Sequence, residues 1–248
     1  MPSTRGWGCC ERSRPVHVVG VVLLLGITTV ALGGLTTVVG SIIDGQTATA
    51  DERRVANALD SEFRPVEQTG PNRVDVRFSE GRLGTVEREL RVLNGSGVQR
   101  EIDVGGLVYS SGANRVGFVG GAITRGEPGN AWLVRGPPVT VTRDNDTLLV
   151  GAVTLDERGA AVSGSGGVTA RLRTNVTHNR TAFPRADYRI AVETATPDPL
   201  VRHLRERGLV TNTTDIDGDG VPSVVASVEG QQELQLVVHR MNTEVAGG

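Results

Sequence analysis

The sequence predicts an α+β protein in which a long N-terminal membrane helix precedes a mainly antiparallel β-sheet or β-sandwich head. Three observations predict this class. A long run without ionisable side chains lies near the N-terminus, an amphipathic stretch follows it, and short alternating segments between turn residues fill the rest. The 33 glycines, together with many threonines, favour a β body over a helical one.

The apolar run spans residues 18–43, with the sequence VVGVVLLLGITTVALGGLTTVVGSII. A bilayer core needs about 20 apolar residues in a helix, whereas a secretory signal has an apolar region of only about 7–15 residues. We therefore expect a retained single-pass helix at 15–43. Three arginines and one glutamate precede it. The positive-inside rule then places a leader, residues 1–14, in the cytoplasm and the rest of the chain outside the cell.

The next segment, residues 44–69, is predicted to form an amphipathic helical stem. Val55, Leu59 and Phe63 recur at four-residue spacing, which places them on one face of a helix. Pro65 is expected to end this helix, because proline lacks the N–H that a helix interior requires. The simplest interpretation is one long helix, half in lipid and half packed on the outer domain.

The head, residues 70–248, consists of short segments in which apolar and polar residues alternate between turn residues. This pattern predicts antiparallel strands in a sheet or a sandwich. One segment, residues 199–210, is instead predicted to be a short helix. The run SGSGG at 163–167 is typical of a flexible loop. The predicted strands are 73–79, 85–94, 100–110, 115–124, 131–135, 138–143, 147–155, 167–175, 187–194, 221–229 and 232–246.

Five N-x-S/T sequons lie in the predicted outer region. Such sequons are acceptors for N-glycosylation on exported proteins. Their number agrees with exposure outside the cell and predicts a glycoprotein. The alternative is that asparagine and threonine simply cluster in turns. The five acceptor residues are Asn94, Asn145, Asn175, Asn179 and Asn212.

Composition argues against several function classes. The 26 basic residues are all arginine and face 28 acidic residues, so the net charge of −2 lacks the basic excess of a nucleic-acid-binding protein. The absence of lysine excludes Schiff-base chemistry and a P-loop lysine. The histidines lack zinc-site spacing and are expected at the surface or in turns. No G-x-S-x-G elbow occurs. We expect no enzyme, no catalytic residue and no nucleic-acid partner.

One stretch, DIDGDG at 215–220, matches the first half of an EF-hand-type loop. Alternate carboxylates in such a loop converge on Ca²⁺, which makes Asp215, Asp217 and Asp219 candidate metal ligands. A complete EF-hand needs a glutamate at the twelfth position, where this chain has Ala226. The alternative is a tight Asp/Gly turn that joins the predicted helix to the following strand. No other cofactor is expected.

The segment HVVGVVLLLGIT at 17–28, which follows Glu11-Arg12-Ser13-Arg14, resembles the N-terminal segment of haloarchaeal type IV pilins and pilin-like proteins. The body also resembles a group of haloarchaeal pilin-like membrane proteins. The matching pieces are GLVYSSGANRVGFVGGAITR at 106–125, AWLVRGPPVTV at 131–141 and the helix-plus-strand ending at 197–244.

The resemblance implies a pilin-like lollipop that a prepilin-type peptidase cuts near Arg14 and Pro15. It further implies that the N-terminal helix packs against those of other pilin-like subunits. The chain would then be a minor subunit or accessory of a type IV pilus-like structure, anchored in the cell membrane with its head outside. The alternative is an anchored adhesion or envelope glycoprotein that never assembles. The cleavage region, which would separate the two, leaves both open.

Overall fold

The computed structural model describes residues 46–142 and 146–247, which are 60% strand and 14% helix. The prediction of an α+β class with a long N-terminal helix is therefore wrong for this part of the chain, which is mainly β and forms two sheets. The predicted leader and membrane helix, residues 1–14 and 15–43, lie outside the described residues. Of the helices within these ranges, none is both long and apolar enough to cross a membrane.

Two helices and fourteen strands make up the described ranges. Helix α1 covers residues 46–62, and helix α2 covers Pro197–Glu206. The strands in chain order are Gly70–Val86 (β1), Glu89–Asn94 (β2), Gly97–Asp103 (β3), Gly106–Ser111 (β4), Asn114–Val119 (β5), Ala122–Arg125 (β6), Trp132–Arg135 (β7), Val139–Thr142 (β8), Thr147–Leu155 (β9), Ala161–Ala186 (β10), Arg189–Glu193 (β11), Val210–Thr214 (β12), Ser223–Ser227 (β13) and Gln232–Gly247 (β14).

The larger sheet has nine strands in the order β7-β6-β5-β4-β1-β10-β14-β9-β8. Its neighbours are antiparallel, except that β14 runs parallel to β9. Strand β14 therefore lies between β10 and β9, although it follows both along the chain. The smaller sheet has five strands in the order β12-β13-β11-β2-β3, all antiparallel.

Strand β9 shows how the layers are stacked, because both of its faces are buried. Leu148, Val150 and Ala152 belong to a core shared with the smaller sheet and α2. Val153 and Leu155 point to the opposite face and belong to a second core shared with α1. Successive side chains of a strand point to opposite faces. The larger sheet is therefore the middle layer, between the smaller sheet and α1.

Helix α1 buries the predicted apolar stripe against the larger sheet. Val55 and Leu59 are fully buried, and the ring of Phe63 meets that of Phe118 edge-on with centroids 4.7 Å apart. The helix ends at residue 62, and residues 65–67 form a turn. The predicted stripe is therefore confirmed, with an end slightly before Pro65.

Several predicted strands differ from the observed ones. The predicted strand 100–110 is split between β3 and β4, which belong to different sheets. The chain changes sheet at Gly105, whose φ of +56° favours glycine. The predicted strand 115–124 is a hairpin whose two-residue turn, Gly120-Gly121, has positive φ at both positions. The SGSGG run, predicted as a loop, lies inside β10 and pairs with β1. Strand β12 was not predicted.

Candidate functional site

The outer face of the smaller sheet carries a group of charged side chains. Leu90 and Val92 of β2 point into the core, so Arg91 between them points outward, and the loop between β12 and β13 folds over it. Three carboxylates pair with this arginine, and a fourth lies close to two of those three. We call the carboxylates of Glu89, Glu101, Glu193 and Asp217 the acidic cluster.

Arg91 lies at the centre of the acidic cluster and is only 4% exposed. Its Nη2 donates to Oδ2 of Asp217 over 2.7 Å, and its Nε donates to Oε2 of Glu101 over 3.1 Å. The same guanidinium also pairs with the carboxylate of Glu89. Arg91 was not among the predicted site residues, although the apolar residues on either side of it predict an outward-facing position.

The loop at 215–220 is a tight Asp/Gly loop that brings its carboxylates together, but it joins β12 to β13 and not, as predicted, the helix to the following strand. Asp215 accepts hydrogen bonds from the main-chain N–H of Gly218 at 2.8 Å and of Gly220 at 3.0 Å. Asp219 accepts from the N–H of Val221 at 2.7 Å. One oxygen from each of Asp215, Asp217 and Asp219 lies within 4.8 Å of the others.

Asp217 belongs to a second group of carboxylates as well. Oxygens of Glu89, Glu193 and Asp217 also lie within 4.8 Å of one another. These three residues come from β2, β11 and the loop, so only the folded chain brings them together. The group on the loop was predicted because its members are close in sequence, whereas Glu89 and Glu193 were not predicted.

Burial and the nearby arginines shift the pKa values of these carboxyl groups in opposite directions. Burial raises the pKa of Glu89, with Arg91 opposing the shift. Burial likewise raises the pKa of Glu193, against the effect of Arg88, whose Nη1 lies 3.4 Å from Oε1 of Glu193. The hydrogen bond from Arg91 lowers the pKa of Asp217.

The charges of this face do not balance. Two guanidiniums, those of Arg91 and Arg88, face the four carboxylates of the acidic cluster, and the other two loop aspartates add further negative charge. An oxygen-rich site with surplus negative charge has the chemistry that hard cations such as Ca²⁺ require. Carboxylate oxygens are ligands of the kind that Ca²⁺ takes, and that of Asp217 is already paired with Arg91.

The sequons occupy different environments. Asn175 and Asn179 are exposed on the same face of β10, and Asn212 is exposed on β12. Asn94 is half-buried, and its side-chain oxygen accepts from the N–H of Ser96 in the turn after β2. Asn145 lies outside the described residues, as does the predicted processing region at Arg14 and Pro15.

Two histidines form a pair that the sequence did not indicate. The Nδ1 atoms of His178 on β10 and His239 on β14 lie 2.8 Å apart. Nε2 of His178 lies 3.0 Å from the carbonyl oxygen of Gln68, just after α1. His239 is 6% exposed, contrary to the expected surface position. Its burial, together with the charge of His178, lowers the pKa of His239 to about 4.

Comparison with known proteins yields one family. The model of a family described as a family of unknown function (DUF7289) matches residues 16–244. No curated protein and no solved structure matches the chain.

Proposed function

We propose that this chain, which belongs to the family of unknown function DUF7289, is a non-enzymatic cell-surface protein held in the membrane by its apolar residues 18–43. We propose further that it is a minor subunit or accessory of a type IV pilus-like structure. The observation that carries the proposal is the burial of α1. Because this helix packs into the core of the β body, a membrane anchor in the residues before it would also hold the body at the membrane.

Apolar contacts fix α1 to the larger sheet. Val55, Leu59 and Phe63 are at most 1% exposed. Burying side chains of this size stabilises a fold by about 1.5–3 kcal/mol each. The helix is therefore expected to remain docked during thermal fluctuations that leave the sheets intact.

Polar contacts fix the same helix at both of its ends. Near the start, Asp51 accepts a hydrogen bond from the N–H of Ser79 at 2.6 Å, and Oε1 of Glu52 lies 3.2 Å from Nε of Arg125. Near the end, Nε of Arg135 donates to Asp60 over 2.9 Å. These contacts restrict rotation and sliding of α1 against the larger sheet.

The partners in this proposal are other pilin-like subunits, which contact the chain through residues 18–43. Five glycines in that segment, at positions 20, 26, 33, 34 and 40, allow close approach of helix backbones in a lipid environment. The exposed sequons Asn175, Asn179 and Asn212 support the surface location, because glycans require acceptor side chains that reach solvent.

The experiment that tests this proposal is the intact mass of the chain from its native membrane after deglycosylation. A mass loss corresponding to about the first fourteen residues, with recovery of the chain in sheared surface filaments, is the expected result. An uncut chain that stays in the membrane fraction would contradict assembly. The anchored adhesion or envelope glycoprotein would then be the better description.

A calcium ion bound at Asp215, Asp217 and Asp219 is a second proposal, which the surplus negative charge of the acidic cluster favours. The expected result is that Ca²⁺ raises the melting temperature of the native chain and of the exposed control Asp187→Asn. The double variant Asp217→Asn/Asp219→Asn should show no such rise. Identical melting temperatures of the native chain with Ca²⁺ and with a chelator would end this proposal.

A further inference from the structure

A small cavity lies between strands β5 and β6 of the larger sheet and the segment that joins β11 to α2. Polar side chains line one part of it, and valines line the other. Its volume of about 20 Å³ is enough for a single water or an atom of similar size, since a water needs about 10–15 Å³. The polar lining residues are Arg88, Arg115, Thr124, Thr194 and Thr196.

The three threonines form a chain of hydroxyls. Oγ1 of Thr196 lies 3.0 Å from Oγ1 of Thr124 and 3.4 Å from Oγ1 of Thr194, and all three residues are buried. The three hydroxyls have three protons, and each of the two oxygen–oxygen contacts uses only one of them. One proton therefore lacks an acceptor among the threonines. Since Thr194 already accepts from the main-chain N–H of Thr196, the chain offers the cavity a donor.

The two arginines place positive charge at the same cavity. Arg88 pairs with Glu193, but Arg115 makes no ion pair with any carboxylate in the part of the chain that the structure describes. Burial lowers the pKa of Arg115, and the charge of Arg88 lowers it further. A half-buried guanidinium without a carboxylate partner favours an anion nearby.

We propose that this cavity binds a small monovalent inorganic anion of the halide class, with chloride as the common representative. The guanidinium of Arg115 and the surplus threonine hydroxyl donate to it. The valine walls, from Val86, Val108 and Val119, exclude water from its other side. The small volume admits one atom and excludes polyatomic anions such as sulfate.

The bound anion connects the two sheets. Arg115 and Thr124 belong to the larger sheet, whereas Thr194 and Thr196 follow β11 of the smaller one. Thr196 is also the residue before the first turn of α2, whose positive dipole end favours an anion nearby. A ligand that binds only the folded chain stabilises it by mass action. Chloride is therefore a structural ligand of the body.

The test is thermal unfolding of the full chain in detergent at constant ionic strength, with sodium chloride exchanged stepwise for sodium gluconate. Gluconate is too large for the cavity. Above the dissociation constant, the melting temperature should rise by about 4 °C for each tenfold increase in chloride. Bromide should also raise the melting temperature, and a crystal grown with bromide should show an anomalous-scattering peak in this cavity of the protein.

Two variants and one control make the test specific. Arg115→Gln and the nearly isosteric Thr124→Val should both lose the chloride dependence. Arg100→Gln, which removes an exposed arginine of β3, should keep it. Equal melting temperatures of the native chain in chloride and gluconate would mean that the cavity holds only water. An unchanged chloride dependence in both Arg115→Gln and Thr124→Val would also overturn the proposal.

Discussion

Lowering the pH from 7 to 5 is expected to weaken the fold through one buried ring, that of His239. Nε2 of His178 lies 3.0 Å from the carbonyl oxygen of Gln68 and 2.9 Å from Oγ1 of Thr69, and its Nδ1 lies 2.8 Å from Nδ1 of His239. This contact is a hydrogen bond only while one of the two facing nitrogens carries no proton. When both Nδ1 atoms are protonated, two donors face each other at that distance.

The magnitude follows from the pKa of His239, which burial and then the charge of His178 lower from 6.5 to about 4. Because the folded pKa lies below the unfolded one, this stability is present above pH 6.5 and is lost as the pH falls toward 4. The free energy of unfolding should therefore fall by about 2 kcal/mol at pH 5 and about 3 kcal/mol near pH 4.

Urea unfolding of the full chain at pH 7 and at pH 5 measures this loss. His239→Gln is expected to be less stable than the native chain at pH 7, but to lose about 2 kcal/mol less between the two pH values. His178→Gln removes only the smaller cause of the shift, so most of the pH dependence should remain. If His239→Gln lost as much stability as the native chain, burial of His239 would not be the origin of the effect.

Three further predictions concern side-chain contacts and packing. Arg91→Met should lower the free energy of unfolding by more than Arg158→Met, because Arg91 is buried and pairs with three carboxylates, whereas Arg158 makes one exposed pair that should be worth under about 1 kcal/mol. Gly105→Ala should cost about 1–3 kcal/mol more than Gly159→Ala, since both positions have positive φ but only at 105 would a Cβ meet a main-chain oxygen, at 2.7 Å. Leu59→Ala should cost about 2–5 kcal/mol and make α1 sensitive to limited proteolysis. Urea titrations measure all three; equal losses within either pair, or a loss below about 1 kcal/mol at Leu59, would contradict the packing described.

Local patterns in the sequence were sufficient where one element decides the outcome. The four-residue spacing of Val55, Leu59 and Phe63 predicted the buried face of α1, because helical periodicity depends only on neighbouring residues. The bounds of β9 at Thr147–Leu155 were also predicted, since turn residues flank a continuous apolar run. The loop that carries Asp217 was found for the same reason.

Features that depend on distant pairing could not be predicted in this way. The SGSGG run has the composition of a flexible loop, yet its pairing with β1 makes it part of β10. The partner of Asp217, Arg91, lies 126 residues away along the chain. His178 and His239 are 61 residues apart and meet only because β10 pairs with β14.

The larger sheet remains two separate halves until residues 232–247 have been synthesised. Strand β14 then enters the gap between β10 and β9, pairing antiparallel with one and parallel with the other. Before that moment, both gap-lining strands present unpaired edges, which are prone to pairing with other chains. A nascent or truncated chain without β14 therefore carries a risk of aggregation. The larger sheet is therefore complete only after its last strand in chain order is available.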